Sequence, residues 1–123
     1  VRGADYGNKD SFNWISVIRL PDFITKKDFE WAIEKATRKK NLDCSEAEFL
    51  TIEEGLCVQI MHIGSFDNEP ESVATMDAFL EENGYENDIN EKRLHHEIYM
   101  SDARKVVPEK WETVIRHPIK RKQ

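Results

Sequence analysis

The residues best suited to chemistry are a glutamate and a tyrosine in the segment HHEIYM at 95–100. Glu97 and Tyr99 are two residues apart, so on a β-strand both side chains lie on the same face. Desolvation among aromatic rings raises the pKa of a carboxyl group, which suits Glu97 to attract an organic cation or to act as a general acid or base. The alternative is an ordinary solvated glutamate on the open face of an antiparallel sheet.

Histidines supply the next candidates. His62 precedes Gly64, where the backbone turns from a strand toward a helix, so His62 either lines a site or is a partly buried histidine bonded to a neighbour. His95 and His96 are adjacent and point to opposite faces of a regular strand, so they cannot act together as a two-ligand metal clamp. No glycine-rich phosphate loop or nucleophile elbow is visible. We therefore predict no metal site and no cofactor.

Composition narrows the classes of function. The formal net charge is −6 and the basic excess is confined to residues 120–122, so we expect no nucleic-acid binding by this chain alone. The apolar runs are far shorter than the ~18–20 residues that cross a bilayer, and no signal-peptide pattern is present, which predicts a cytoplasmic protein without membrane contact. Cys44 and Cys57 match neither a redox pair nor a zinc knuckle and are expected to be separate thiols.

Local patterns predict the elements that position these residues. Thr25 and Asp28 form a variant capping box at the start of one helix, and Gly84 is a plausible end of another. Ile98 and Met100 are expected to face a core between sheet and helix. The predicted strands cover residues 12–20, 56–63, 95–100 and 111–117, and the last three of them, with the second helix, read as a β-α-β-β unit.

An internal repeat links the first and last predicted strands. The segments WISVIRLP at 14–21 and WETVIRHP at 111–118 agree at five positions, at an offset of 97 residues. The pattern suggests that each strand is the last of a duplicated β-α-β-β unit, although two strands can also resemble each other by chance. A sheet with an exposed edge invites aggregation, so duplication predicts that other residues or another chain cover it.

Two motifs resemble those of GyrI-like proteins. The step His62-x-Gly64-x-Phe66 into a helix and the E-I-Y strand at 97–99 are similar to the family's most recognisable pieces, and the resemblance covers most of positions 12–120. The segment Pro21-Asp22-Phe23 is similar to a turn of the stand-alone members. The resemblance therefore implies an α+β fold of the SHS2 type, with an antiparallel sheet, helices on one face and an incomplete first unit.

The resemblance also implies a ligand cleft between the two units. Glu97 would face cationic, often aromatic ligands, with Tyr99 beside it. His62 and Phe66 would be further binding residues. Trp14 and Trp111 would either line the cleft as matching residues or lie in the core. The expected partner is a small hydrophobic or cationic ligand.

Three functions fit this resemblance. The first is a module that binds amphipathic or cationic xenobiotics. The second is a hydrolase that opens cyclopropane-bearing natural products with Glu97 and Tyr99 as catalytic residues, and the third is a protein-interaction module of the gyrase-inhibitor type. The expected organisation is a loop or remnant at 1–11, the domain at 12–120 and a basic tail at 121–123. If the chain is truly half-length, a homodimer would complete the cleft.

Overall fold

The computed structural model describes residues 13–123, which divide into two units, residues 13–52 and 53–123. The first unit contains helix α1, Lys26–Lys40. Thr25 caps it as predicted: its hydroxyl accepts a hydrogen bond from the Asp28 amide, and the Asp28 carboxylate accepts one from the Thr25 amide. Three basic residues end the helix, where cations suit the negative end of the helix dipole.

The prediction of a strand at 12–20 is wrong for residues 13–20, which the structure describes. Residues 13–20 form no strand, and Phe12 lies outside the described residues. Residues 13–52 contain no strand with which this segment could pair. A strand depends on pairing as well as on its own residues, so β-branched composition alone did not suffice.

The second unit is an antiparallel sheet with one long helix, which confirms the α+β class. Strand β4 is central, pairing with β1 along one edge and with β3 and β2 in succession along the other. Short 3₁₀ turns at Phe66–Asn68 and Pro108–Lys110 precede α2 and β4. The elements are β1 at Cys57–Ile63, α2 at Glu69–Asn83, β2 at Tyr85–Asn87, β3 at His96–Tyr99 and β4 at Glu112–Arg121.

The core lies between α2 and one face of this sheet. Met76 and Leu80 of α2 are buried, as are Ile115 and Ile119 of β4. The β3–β4 register places Glu97 opposite Ile115, so Glu97 lies on this helix-covered face. Ile98 is opposite Val114 on the other face, so the expectation that Ile98 faces the helix is wrong.

Two features of the sheet were not predicted. Strand β2 follows directly on the left-handed Gly84, and its three residues are too few to show an alternating pattern. Strand β4 continues past His117 to Arg121, because Lys120 pairs with Glu86 and the Lys122 amide donates to the Gly84 carbonyl. Within residues 13–123, no helix has the length and apolarity needed to cross a membrane.

Candidate functional site

An aromatic-walled cavity opens at the end of the sheet where β3 and β4 meet the turn before α2. Phe66 packs against both Tyr99 and Trp111, with ring centroids 5.6 and 4.8 Å apart. The Trp111 indole is fixed by a 2.7 Å hydrogen bond to the Val106 carbonyl. The cavity has a volume of about 290 Å³ and is lined by Phe66, Tyr99, Ser101, Asp102, Ala103, Trp111, Glu112 and Thr113.

Behind Tyr99 lies the carboxylate of Glu97. The Tyr99 hydroxyl donates to Glu97 Oε2 at 3.1 Å, and His95 Nε2 lies 3.1 Å from Oε1. Glu97 is not one of the residues that line the cavity, but its carboxylate is hydrogen-bonded to Tyr99, which is one of them. The acid predicted to be central is therefore one hydrogen bond from the cavity wall, and its side chain is only 27% exposed.

The hydrogen bonds continue from Glu97 into the sheet. His95 Nδ1 lies 2.7 Å from His117 Nε2, and His117 Nδ1 lies 3.5 Å from the amide nitrogen of Asn87. The two imidazoles are largely buried, with a His95 side-chain exposure of 6% and a His117 exposure of 4%. A continuous chain thus runs from Tyr99 through Glu97 and both histidines to β2.

A second carboxyl group faces Glu97 from the helix. Glu69, the first residue of α2, is 1% exposed, and its side chain hydrogen-bonds to Glu97. This hydrogen bond joins the start of α2 to β3, and it is one of the contacts that lower the pKa of Glu97.

The hydrogen bonds determine the charge of the site. The His95 hydrogen bond outweighs desolvation and lowers the pKa of Glu97 to about 2. Desolvation, together with the neighbouring Glu97 charge, raises the pKa of Tyr99 to about 12. The expectation that the Glu97 pKa is raised is wrong, because hydrogen bonds to the charged form outweigh the effect of desolvation. At neutral pH the site pairs a carboxylate with a protonated phenol.

Other predicted residues lie in different surroundings. His62 is buried and joins Ser72 of α2 to the Ser65 carbonyl, with both distances 2.7 Å, so it ties β1 to the helix. This geometry matches the structural alternative for His62. Trp14 belongs to the first unit and is 75% exposed, so its role in a cleft stays a prediction.

Sequence reasoning missed His117, Asn87 and Glu69. His117 belongs to the second copy of the repeat, where the first copy has Leu20, and that difference was the available signal. Asn87 and Glu69 carry no local signal, because only the sheet register brings Asn87 to His117 and only the position of α2 brings Glu69 to Glu97. Among residues 13–123, no group of three or more His, Cys, Asp or Glu side chains is arranged to hold a metal ion.

Comparisons with known proteins identify the family. The GyrI-like small molecule binding domain matches residues 21–120, so the chain belongs to that family. A crystal structure of a hydrolase from Listeria innocua is 46% identical with a TM-score of 0.79, over 83% of this chain and 52% of that one. An uncharacterized conserved protein from the same organism is 47% identical with a TM-score of 0.79, over 83% and 50%. The chain thus spans about half the length of these structures, and no curated protein matches it.

Proposed function

We propose that the cavity beside Tyr99 binds a small, flat, cationic aromatic molecule. The observation that carries this proposal is the contact between the aromatic wall and an ionised, hydrogen-bonded carboxylate. Phe66, Tyr99 and Trp111 offer ring faces to a planar ligand, while Glu97 supplies negative charge directly behind the tyrosine. Cation–π contacts contribute about 0.5–2 kcal/mol each, more where water is excluded.

The other lining residues support a cation over an anion. Asp102 and Glu112 add carboxylates to the wall, and no lysine or arginine lines the cavity. Arg104 pairs with Asp102 at 3.0 Å, but the guanidinium is almost fully exposed and neutralises only that one acid. A volume of about 290 Å³ is near the lower end of ~300–1,000 Å³ for small-molecule sites, which favours a compact ligand.

Two matched probes test the proposal. N-methylquinolinium and 1-methylnaphthalene have the same ring shape but differ in charge, so fluorescence titration of both isolates the contribution of the cation. We expect the cation to bind more tightly to the wild type. Glu97→Gln should weaken its binding about tenfold, or about 1.4 kcal/mol, and leave the neutral probe unchanged.

Glu109→Gln is the control, because it makes the same change of charge at an exposed residue outside the cavity lining. Equal affinity of the wild type for both probes would contradict the proposal. So would an equal loss in the two variants, because charge would then act only at long range.

A second candidate function is hydrolysis in the same cavity. It is favoured by the 46% identical structure described as a hydrolase and by the ionised state of Glu97. In this candidate, the Tyr99 hydroxyl takes a proton from a water in the cavity and passes its own proton to Glu97, as the water oxygen bonds to a cyclopropane carbon. The ring carbon–carbon bond breaks, and its electron pair passes to the conjugated acceptor of the substrate, which is then protonated.

Incubation with a cyclopropane-bearing alkylator distinguishes the two candidates. A product that has gained one water, formed by the wild type and not by Glu97→Gln with binding retained, would establish hydrolysis. Binding without formation of product would contradict hydrolysis and support only the binding function.

A further inference from the structure

We infer that Asn87 and His117 are positioning residues that fix the hydrogen of His95 on Nε2, so that His95 donates to Glu97. This inference deepens the proposed function, because it explains how the carboxylate behind the aromatic wall is held. It concerns three residues outside the cavity lining, and it follows from the direction of each hydrogen bond in the chain from β2 to β3.

Asn87 determines the direction in which these hydrogen bonds run. The Ile89 backbone amide donates to Asn87 Oδ1 at 2.8 Å. An amide nitrogen of the main chain can only donate, so the oxygen of the Asn87 side chain must face it. The side-chain NH₂ group of Asn87 is therefore the group that faces His117, and it too can only donate.

The direction then passes through both imidazoles. His117 Nδ1 must accept from Asn87, so the His117 hydrogen is on Nε2, which faces His95 Nδ1 at 2.7 Å. His95 Nδ1 must accept in turn, so the His95 hydrogen is on Nε2, 3.1 Å from Glu97 Oε1. One backbone amide thus determines the tautomer of two histidines and gives Glu97 an N–H donor.

The same arrangement of hydrogen bonds opposes protonation of His117. A proton on His117 Nδ1 would face the Asn87 NH₂ group. Burial and the neighbouring His95 lower the pKa of His117 to about 4, which agrees with this arrangement. The other ionisable groups near the two histidines are Glu97 and Tyr99 of β3 and Glu69 of α2.

The sheet register fixes the positions of the residues that form this chain of hydrogen bonds. Asn87 pairs with Ile119 across β2 and β4, and Glu97 pairs with Ile115 across β3 and β4, so both ends of the chain are anchored on one central strand. Strand β2 is short and contributes little to the core, but it places the side-chain amide of Asn87 next to His117.

Long-range ¹H–¹⁵N NMR spectra of the histidine side chains test the inference without any ligand. We expect His95 and His117 to carry hydrogen on Nε2 and none on Nδ1 at pH 7. Hydrogen on Nδ1 of either residue in the wild type would overturn the inference. Because no probe is involved, this result is independent of the proposed binding function.

Asn87→Asp reverses the direction of the hydrogen bond between residue 87 and His117. The new carboxylate can still accept from Ile89, but it now also accepts from His117 Nδ1. We expect His117 to gain a hydrogen there and its pKa to rise by about one unit or more, because an opposite charge nearby stabilises the imidazolium. Asn83→Asp is the matched control at the exposed end of α2 and should leave the His117 pKa unchanged. An unchanged His117 in Asn87→Asp would contradict the inference.

His117→Gln and His117→Leu provide a second test should Asn87→Asp fold poorly. Glutamine can keep a donor toward His95 Nδ1, whereas leucine has similar bulk and no donor. We expect the His95 tautomer to be retained in the glutamine variant and to become mixed in the leucine variant, with N-methylquinolinium affinity following the same order. Identical His95 spectra in both variants would overturn the inference. Failure of the wild type to bind N-methylquinolinium would overturn only the proposed function.

Discussion

At position 97, hydrogen bonds converge on one carboxylate from three directions. His95 precedes it on the chain, Tyr99 follows it on the strand, and Glu69 approaches from the helix. Each hydrogen bond stabilises the charged form, and together they outweigh the cost of partial burial. The residue is thus a fixed negative charge across the physiological pH range.

Tyr99→Phe tests this account of the Glu97 charge. The change removes one hydrogen bond to Oε2 and keeps the aromatic ring, so the pKa of Glu97 should rise from about 2 toward its ordinary value of 4.5. The Tyr99 hydrogen bond is the smallest of the causes that act on this pKa, so we expect a rise of less than about one pKa unit. A ¹³C NMR titration of the Glu97 carboxyl carbon measures it.

Tyr85→Phe is the matched control, because Tyr85 lies on β2 beside Arg121 and makes no contact with Glu97. An unchanged Glu97 titration in Tyr99→Phe would mean that the tyrosine contributes only its ring to the site.

The sequence predicted part of the site at this scale. The spacing of Glu97 and Tyr99 correctly indicated that they share a face, because the two-residue period of a strand is local. The sign of the Glu97 pKa shift was not predictable. It depends on His95, whose donor is fixed by His117, 22 residues away in the chain, and by Asn87 on another strand.

Among the elements, those defined by local rules were predicted best. The capping box at Thr25 and the end of α2 at Gly84 depend on residues within one turn, so the sequence contained the necessary information. The strand predicted at 12–20 and the missed strand β2 show the opposite case. Their status depends on whether a partner strand is available, and β4 provides one only for β2.

Gly84→Ala tests the junction that leads into β2. Gly84 has φ 77°, a left-handed conformation that costs a β-carbon-bearing residue about 1–2 kcal/mol, although a β-carbon there would meet no atom within 4 Å. We expect a loss of about 1 kcal/mol in the free energy of unfolding, measured by urea denaturation. Gly84→Asn should lose less, since asparagine tolerates this conformation. Equal losses in the two variants would point to a cause other than backbone conformation.

For the whole molecule, the homodimer that is expected if the chain is truly half-length stays a prediction. Strand β1 pairs with β4 on one side, and no strand within residues 13–123 pairs with its other edge. Open edges of this kind readily pair with a second chain. Light scattering after size exclusion should therefore give about twice the 14.4 kDa of one chain. A mass of one chain at all concentrations tested would contradict the dimer.

The stability of the whole fold should depend on pH through His117 and Glu97. The His117 pKa is lowered to about 4 in the folded chain from 6.5, so between these values the unfolded chain binds more protons. Stability therefore falls as pH decreases from 6.5 to 4. The Glu97 pKa is lowered to about 2 from 4.5, so its stabilising effect is lost over the lower window. The two windows overlap only between about pH 4 and 4.5, and in both of them stability falls as the pH decreases.

His117→Gln separates the two windows. Glutamine does not titrate, so the variant should lose the pH dependence between 6.5 and 4, which is on the order of 3 kcal/mol in the wild type for a shift of this size. The fall below pH 4.5 should remain, because Glu97 is still present. Urea denaturation at half-unit pH steps, with His96→Gln as the control on the opposite face of β3, measures both windows. A wild-type free energy of unfolding that is flat from pH 6.5 to 4 would show that the buried histidine titrates normally.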